Sequence, residues 1–291
     1  FILSTSSSLI QHWHHRLFPK ESPYWLYSLS NIGSLLAIII YPIIIEPFLP
    51  LSIQAQFWTI SFVVYLCLLA TLALYANITS VNLQKTISTS EKIPTKDNYN
   101  LGIFIKWTML ASVPSLMLLS FTNFMTQDIS PIPFLWMLPL GMYLTSFIIT
   151  FRDKFIYRPG YTVTFLILLL LVLFINLAKI SNLLYLPFQI GVFSLTVLYA
   201  GLVFHGKLYN SKPSPQHLTQ FYLAVSLGGF LGGLFVGTIA PFIFPDYWEV
   251  YLAIFLSLIF IYKYASSDVK LQTYNKLPIF LKVVNHPTFI F

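Results

Sequence analysis

The sequence predicts an all-α, polytopic membrane bundle of about eight transmembrane helices with a partial helix at its N-terminus, and three observations carry that prediction. The chain of 291 residues is 57% hydrophobic and only 9% charged, against roughly 25% charged in a soluble chain. Eight stretches are apolar over about 20 residues, the length a helix needs to cross roughly 30 Å of hydrocarbon. The positive charges gather in alternate connections between those stretches, as they do when they resist translocation.

The elements follow in order. Phe1–Ile10 is apolar or hydroxyl-bearing and lacks the positive charge and small-residue cleavage site of a signal peptide. It reads as the last half of a membrane helix. The full spans are expected at Tyr24–Ile45, Ala55–Ala76, Ile103–Phe124, Phe134–Phe151, Tyr161–Leu177, Leu184–Phe204, Thr219–Phe244 and Trp248–Tyr264. Each is apolar around its whole circumference and so faces lipid or other helices. Strands are excluded by length and by the absence of alternation. Residues 1–264 thus form one transmembrane domain and 265–291 a cytoplasmic tail or the start of a further segment. With no Met at Phe1 and a renewed apolar pattern from Leu277 to Phe291, the expectation is a piece of a longer protein.

Charge sets the orientation. Arg16, Lys20, Lys85, Lys92, Lys96, Lys106, Arg152, Lys154, Arg158, Lys207, Lys212, Lys263, Lys270, Lys276 and Lys282 fall on one side, fifteen of the 16 Lys and Arg, and Lys179 on the other. Both chain ends are therefore expected in the cytoplasm. Trp25, Trp58, Trp107, Trp136 and Trp248 begin spans, where an indole finds both apolar surface and a polar partner. No basic cluster exists to bind nucleic acid.

Candidate functional residues are sparse. The seventh span carries Gly228, Gly229, Gly232, Gly233 and Gly237. Gly229, Gly233 and Gly237 share one face at a spacing of four, the pattern that lets two helix backbones approach closely in lipid. Asn31 in the first span must find a hydrogen-bond partner in the bundle, and Asn123 and Gln189 invite the same reading. None of the nine acidic residues lies near the centre of a span. Glu46, Asp128, Asp246 and Glu249 all fall on the outer side, where they are solvated in loops or form an acidic mouth for cationic solutes. His12, His14, His15, His205 and His217 read as polar residues of the membrane interface and do not make a metal site. The single cysteine, Cys67, lies in an apolar run, and neither a disulfide nor a catalytic triad is built. Pro42, Pro114, Pro139 and Pro187 are the expected break points of helices.

Several segments together resemble a known pattern. They are Tyr27-Ser-Leu-Ser-Asn-Ile-Gly-Ser-Leu-Leu36 with Tyr41-Pro42 and Glu46-Pro47, then Val113-Pro-Ser115 with Asp128-Ile-Ser-Pro-Ile-Pro-Phe-Leu-Trp-Met-Leu-Pro-Leu140. Phe204-His-Gly-Lys-Leu208, His217-Leu-Thr-Gln-Phe-Tyr222 and the glycine-rich span complete the set. In order and spacing they resemble the membrane region of bacterial proteins in which a multi-spanning, major-facilitator-like domain is fused to a spermidine synthase-like domain. Gln220 stands where that pattern has an acidic residue. The resemblance implies a membrane domain that moves a small cationic solute, with a cytoplasmic synthase-like domain as partner. It places no catalytic residue and no cofactor in this chain. The alternatives are a stand-alone secondary transporter, which predicts two halves related by a repeat, and a non-transporting anchor or scaffold.

Overall fold

A computed structural model of the chain describes residues 2–18, 21–87, 100–129, 134–152, 155–178, 185–214 and 217–276. Among these residues the structure is all-helical, without strands. The order is α1 (Ile2–Leu17), α2 (Trp25–Ile40), the π-helix π1 (Tyr41–Ile45), α3 (Glu46–Phe48), α4 (Leu51–Ile87), α5 (Leu101–Phe124), π2 (Met125–Ile129) and α6 (Met137–Phe151). Then come α7 (Pro159–Leu177), α8 (Leu186–Asn210), α9 (Leu218–Leu234), π3 (Phe235–Ile239), α10 (Ala240–Ile243) and α11 (Trp248–Lys276). Boundaries follow local chemistry. Asn100 caps α5, its side chain accepting from the Ile103 N–H at 2.9 Å. Proline occupies the first turn of α7 and of α8, where its missing N–H costs nothing.

Among the described residues six helices are long and apolar enough to cross a membrane: Trp25–Phe48, Leu51–Thr79, Leu101–Gln127, Pro159–Leu177, Leu186–Asn210 and Leu218–Ile243. The fourth expected span is shorter than the sequence implies. Phe134–Trp136 turns, with Phe134 at φ 66°, so α6 has 15 residues, about 22 Å at roughly 1.5 Å per residue. The eighth expected span forms the first part of α11. Of the four expected break points, only Pro42 lies in a break, π1. Pro114 sits inside continuous α5, Pro187 in the first turn of α8 and Pro139 in that of α6.

The core is built around α5, which packs most extensively on α9 and also on α8 and α11, while α6 bridges α8 and α2. Its largest buried side chains are aromatic: Trp107, Phe121, Phe151, Phe165, Phe193, Phe204 and Phe221. Helix α4 packs chiefly on α1, and the rest of its apolar surface is exposed, Cys67 included. Contacts mark two ends of the bundle. Tyr24, Trp107 and residues 211–213 meet at one end, through Tyr24 O–H donating to the Pro213 carbonyl at 2.8 Å and Trp107 Nε1–H to that of Ser211 at 3.0 Å. At the other end Tyr247 O–H reaches Gln127 Oε1 at 3.4 Å and its ring meets Phe124. The first is called the basic end below.

Candidate functional site

The densest functional chemistry is an aromatic layer near the basic end, assembled from α2, α6, α8 and α9. Tyr27 contacts Phe147, Phe151 and Tyr222 with ring centroids 5.2, 5.1 and 5.0 Å apart. Tyr24 meets Phe221 edge-on at 5.6 Å, and Phe221 meets Trp107 at 5.2 Å. Ser28 O–H donates to the Ile148 carbonyl at 2.9 Å and ties α2 to α6. Lys212 holds its Nζ 3.4 Å from the Tyr209 ring centroid and 5.2 Å from that of Tyr24. Ring faces of this layer thus already receive an ammonium group, the interaction that aromatic cages use for organic cations.

Behind the layer lies His205, with 0% exposure. Its ring stacks on Phe147 at 3.6 Å and meets the edge of Tyr143 at 5.1 Å. Nδ1 lies 2.9 Å from Ser146 Oγ, and Ser146 Oγ lies 2.6 Å from the Tyr143 carbonyl oxygen. Nε2 is buried without a hydrogen-bond partner. Gly201 makes room for this arrangement, since a Cβ there would overlap the Ser146 side chain. The reading of His205 as an interface residue is therefore corrected. It looks interfacial by its place near the end of a span, yet the short α6 packs over it.

The residues expected from the sequence are spread through the bundle. Asn31 is buried, but its Nδ2 donates to the Tyr27 carbonyl of its own helix at 2.7 Å and not across the bundle. Gln189 is buried toward the far end of α8. Asn123 is half-buried near the end of α5, where its carbonyl accepts from Thr126 Oγ1 at 3.3 Å. Glu46 is exposed in α3. The Asp128 side chain lies outside the described residues. Glu249 is buried in the first turn of α11 instead of solvated in a loop, a position where a carboxylate complements the helix dipole. These groups do not converge on one point with the aromatic layer. No cluster of three or more His, Cys, Asp or Glu suited to a metal occurs among the described residues.

The glycine register also differs from expectation. The tight contact of α9 with α5 runs through Gly228 and Gly232, where a Cβ would meet the Thr108 carbonyl and Ala111, or Leu116 N and Ser112 O at 2.8 Å. Gly229 and Gly237 face open space on the Cβ side, and Gly233 has only ordinary contact with Leu119. The Gly229 carbonyl does accept from Ser115 Oγ at 2.9 Å. Both faces carry glycine at spacing four, so spacing could not choose between them; the position of α5 does.

One feature was not seen in the sequence. Helix α2 ends in a five-residue π-helix, a short α-turn containing Pro47, and an extended residue, Leu49. Helix α9 ends in the same succession: π3, α10 containing Pro241, and extended Phe244. Both also carry a Tyr four residues before Ser-Leu, Tyr24 before Ser28-Leu29 and Tyr222 before Ser226-Leu227, although Tyr24 is the N-cap of α2 and Tyr222 lies one turn inside α9. The rings of those two tyrosines lie 6.1 Å apart. The side chains between the motifs differ too much for the repeat to stand out in sequence.

Comparison with protein-family models, curated proteins and solved structures finds no match to this chain.

Proposed function

We propose that this chain is the membrane domain of a spermidine synthase-like fusion protein and that it moves a small cationic solute between α2 and α9. In this reading eight helices span a bacterial inner membrane, with α6 as a short span and α11 as the eighth, and the basic end and both termini face the cytoplasm. The carrying observation is the repeated broken-helix succession of α2–π1–α3 and α9–π3–α10. Transporters build their solute sites at interrupted helices, and π-turns often mark functional sites within helices; α5 also ends in a π-turn, so what pairs α2 with α9 is the proline-containing α-turn and extended residue that follow π1 and π3. The Lys212 ammonium over Tyr209 supports a cationic solute. The chain supplies no catalytic group in this reading, and any synthase chemistry belongs to a partner domain. The repeat favours a stand-alone secondary transporter equally, and a synthase-like segment encoded in the same reading frame distinguishes the two.

The test is uptake of labelled putrescine by proteoliposomes holding the purified chain, with and without an ion gradient. Saturable uptake that falls when Tyr24 and Tyr209 are both changed to Ala is expected. No uptake under any gradient overturns polyamine transport. Single cysteines at Arg158 and Asp246, in a chain carrying Cys67→Ser, should react with impermeant reagents from opposite sides; reaction from one side refutes the span arrangement.

A further inference from the structure

His205 is placed for a chemistry that the aromatic layer does not need. Ser146 has one hydroxyl proton and two polar neighbours. The Tyr143 carbonyl can only accept, so at 2.6 Å it takes that proton. The Nδ1 of His205, 2.9 Å away, must then carry its own proton and donate it to Ser146 Oγ. This leaves Nε2 with its lone pair, buried and without a partner. A buried acceptor left unpaired costs about 1–3 kcal/mol, which a phenylalanine on Phe147 would avoid. Ionisable side chains inside a bundle are functional by default.

The ring is enclosed at 0% exposure, so an organic ligand has no room at Nε2, whereas a proton needs none. We propose that His205 Nε2 is a reversible proton-binding site of the transport cycle, loaded when the layer of Tyr27, Phe147, Phe151 and Tyr222 parts and emptied when it closes. The inference rests on the transport reading above. In the loading step the Nε2 lone pair takes a proton from a hydronium ion at the basic end, forming an Nε2–H bond and an imidazolium and leaving a water molecule. Nδ1–H continues to donate to Ser146. The new N–H then needs an acceptor and the charge needs solvation, and the closed packing supplies neither. A buried, uncompensated charge is costly, so protonation and parting of the layer favour each other.

Among the described residues, the helices that carry and cover His205 supply no carboxylate that would hold the proton in the closed state, and Asp153, which follows α6, lies outside the described residues. Helices α5, α6, α7 and α8 have no Asp or Glu. The titratable side chains on or against these elements are Tyr143 on α6, Tyr199, Lys207 and Tyr209 on α8, Lys106 on α5, Tyr161 on α7, Tyr157 just before it, and Glu249 and Tyr251 in the first turn of α11, at the end of the bundle away from the basic end. Tyr262 and Lys263 follow Phe260, which packs on Phe204 from α11, and both are exposed. Tyr27 and Tyr222 complete the set from α2 and α9. Asp128 of π2, which also packs on α8, has a side chain outside the described residues.

The experiment uses the full chain in lipid vesicles, labelled with ¹⁵N-histidine. At alkaline pH, one Nδ1–H tautomer with an unprotonated Nε2 is expected, absent from His205→Gln, and its Nε2 signal should convert to the protonated position on acidification. Opening is read from thiol labelling of Thr150→Cys, or of Ser28→Cys should the first variant fold poorly, in a Cys67→Ser chain. Corrected by the same reporter in His205→Gln, reactivity should rise by up to about tenfold per pH unit where one proton is linked. An Nε2 that never gains a proton while the protein stays folded overturns the site. A protonating Nε2 with unchanged reactivity overturns its link to opening. Failure of putrescine uptake alone refutes the solute reading and leaves the ¹⁵N titration to decide His205.

Discussion

Gly228 and Gly229 are adjacent in sequence but should respond oppositely to alanine. A Cβ at Gly228 would overlap the Thr108 carbonyl and lie 2.7 Å from Ala111 Cβ and 3.0 Å from Ser112 N. Carbon contacts settle at about 3.5–4.0 Å, and two of the three obstructing atoms are backbone, so α9 must back away from α5 by about 1 Å. Overpacking of this kind costs about 1–3 kcal/mol. At Gly229 a Cβ meets nothing within 4 Å, and alanine gains up to about 1 kcal/mol of helix propensity. That gain is common to both positions, so the two variants should differ by the packing cost, about 1–3 kcal/mol, roughly fivefold to 150-fold in the unfolding equilibrium. Unfolding of the purified chain in mixed micelles by titrated dodecyl sulfate, followed by tryptophan fluorescence, measures the difference. Equal stability of the two variants, or greater damage from Gly229→Ala, would show that the α5–α9 contact does not run through Gly228.

Three further outcomes are expected. Gly201→Ala should destabilise the chain by about 1–3 kcal/mol, because its Cβ would overlap Ser146; Ser146→Gly in the same chain should recover most of that loss in the same unfolding assay. Tyr24→Phe removes the donor to the Pro213 carbonyl at a cost of about 1 kcal/mol; amides near 211–214 should then exchange with solvent roughly fivefold faster by mass spectrometry, and unchanged exchange counts against the contact. Acid should loosen α1 beyond its apolar part, since His12 and His15 are both held below the ordinary histidine range, chiefly by burial, with Arg16 adding to the effect at His12 and the neighbouring histidines at His15. A base whose folded value is lowered favours the folded state above the unfolded value, about 6.5, and loses that contribution as pH falls below it. Exchange of α1 amides should accelerate below about pH 6.5 and do so less in a His12→Gln, His15→Gln chain.

What the sequence made legible was hydrophobic length, and what it hid was rotation about each helix axis. Among the described residues six of the eight apolar stretches fall on helices long and apolar enough to cross a membrane, because length and composition suffice to predict a helix in an apolar chain. The short α6 escaped notice because Phe134, Leu135 and Trp136 are as apolar as the helix they precede, although they form a turn. Which glycines touch α5, and which way His205 points, depend on the phase of each helix against its neighbour. A helix that is apolar all round carries no periodic signal to set that phase. Asn31 was misjudged for a related reason: a side-chain amide can satisfy itself on the carbonyl four residues back without choosing a neighbour.

The order of burial along the chain says something about its solvent that composition alone does not. In water the most apolar helix of a bundle is the one that must be covered. Here the most apolar, Pro159–Leu177, with a mean hydropathy of 2.4, is 28% buried, Leu51–Thr79, at 2.2, is 0% buried, and Trp25–Phe48, at 2.0, is 11% buried. The two least apolar segments, Leu101–Gln127 at 1.5 and Leu186–Asn210 at 1.7, are each 56% buried. Such an inversion suits a solvent that is itself apolar, where polar groups gain most by withdrawing into the bundle. Those two segments carry Thr108, Ser115, Ser120, Gln189, Ser194, Thr196 and His205, all buried. Thr108 and Thr196 donate to carbonyls of their own helices at 3.0 and 2.6 Å, and Ser115 donates across to α9. His205 Nε2 and Ser194 Oγ, both on α8, have no such partner; of the two only the imidazole lone pair can take up a proton near neutral pH, and for that reason its protonation is the event to which this bundle should be most sensitive.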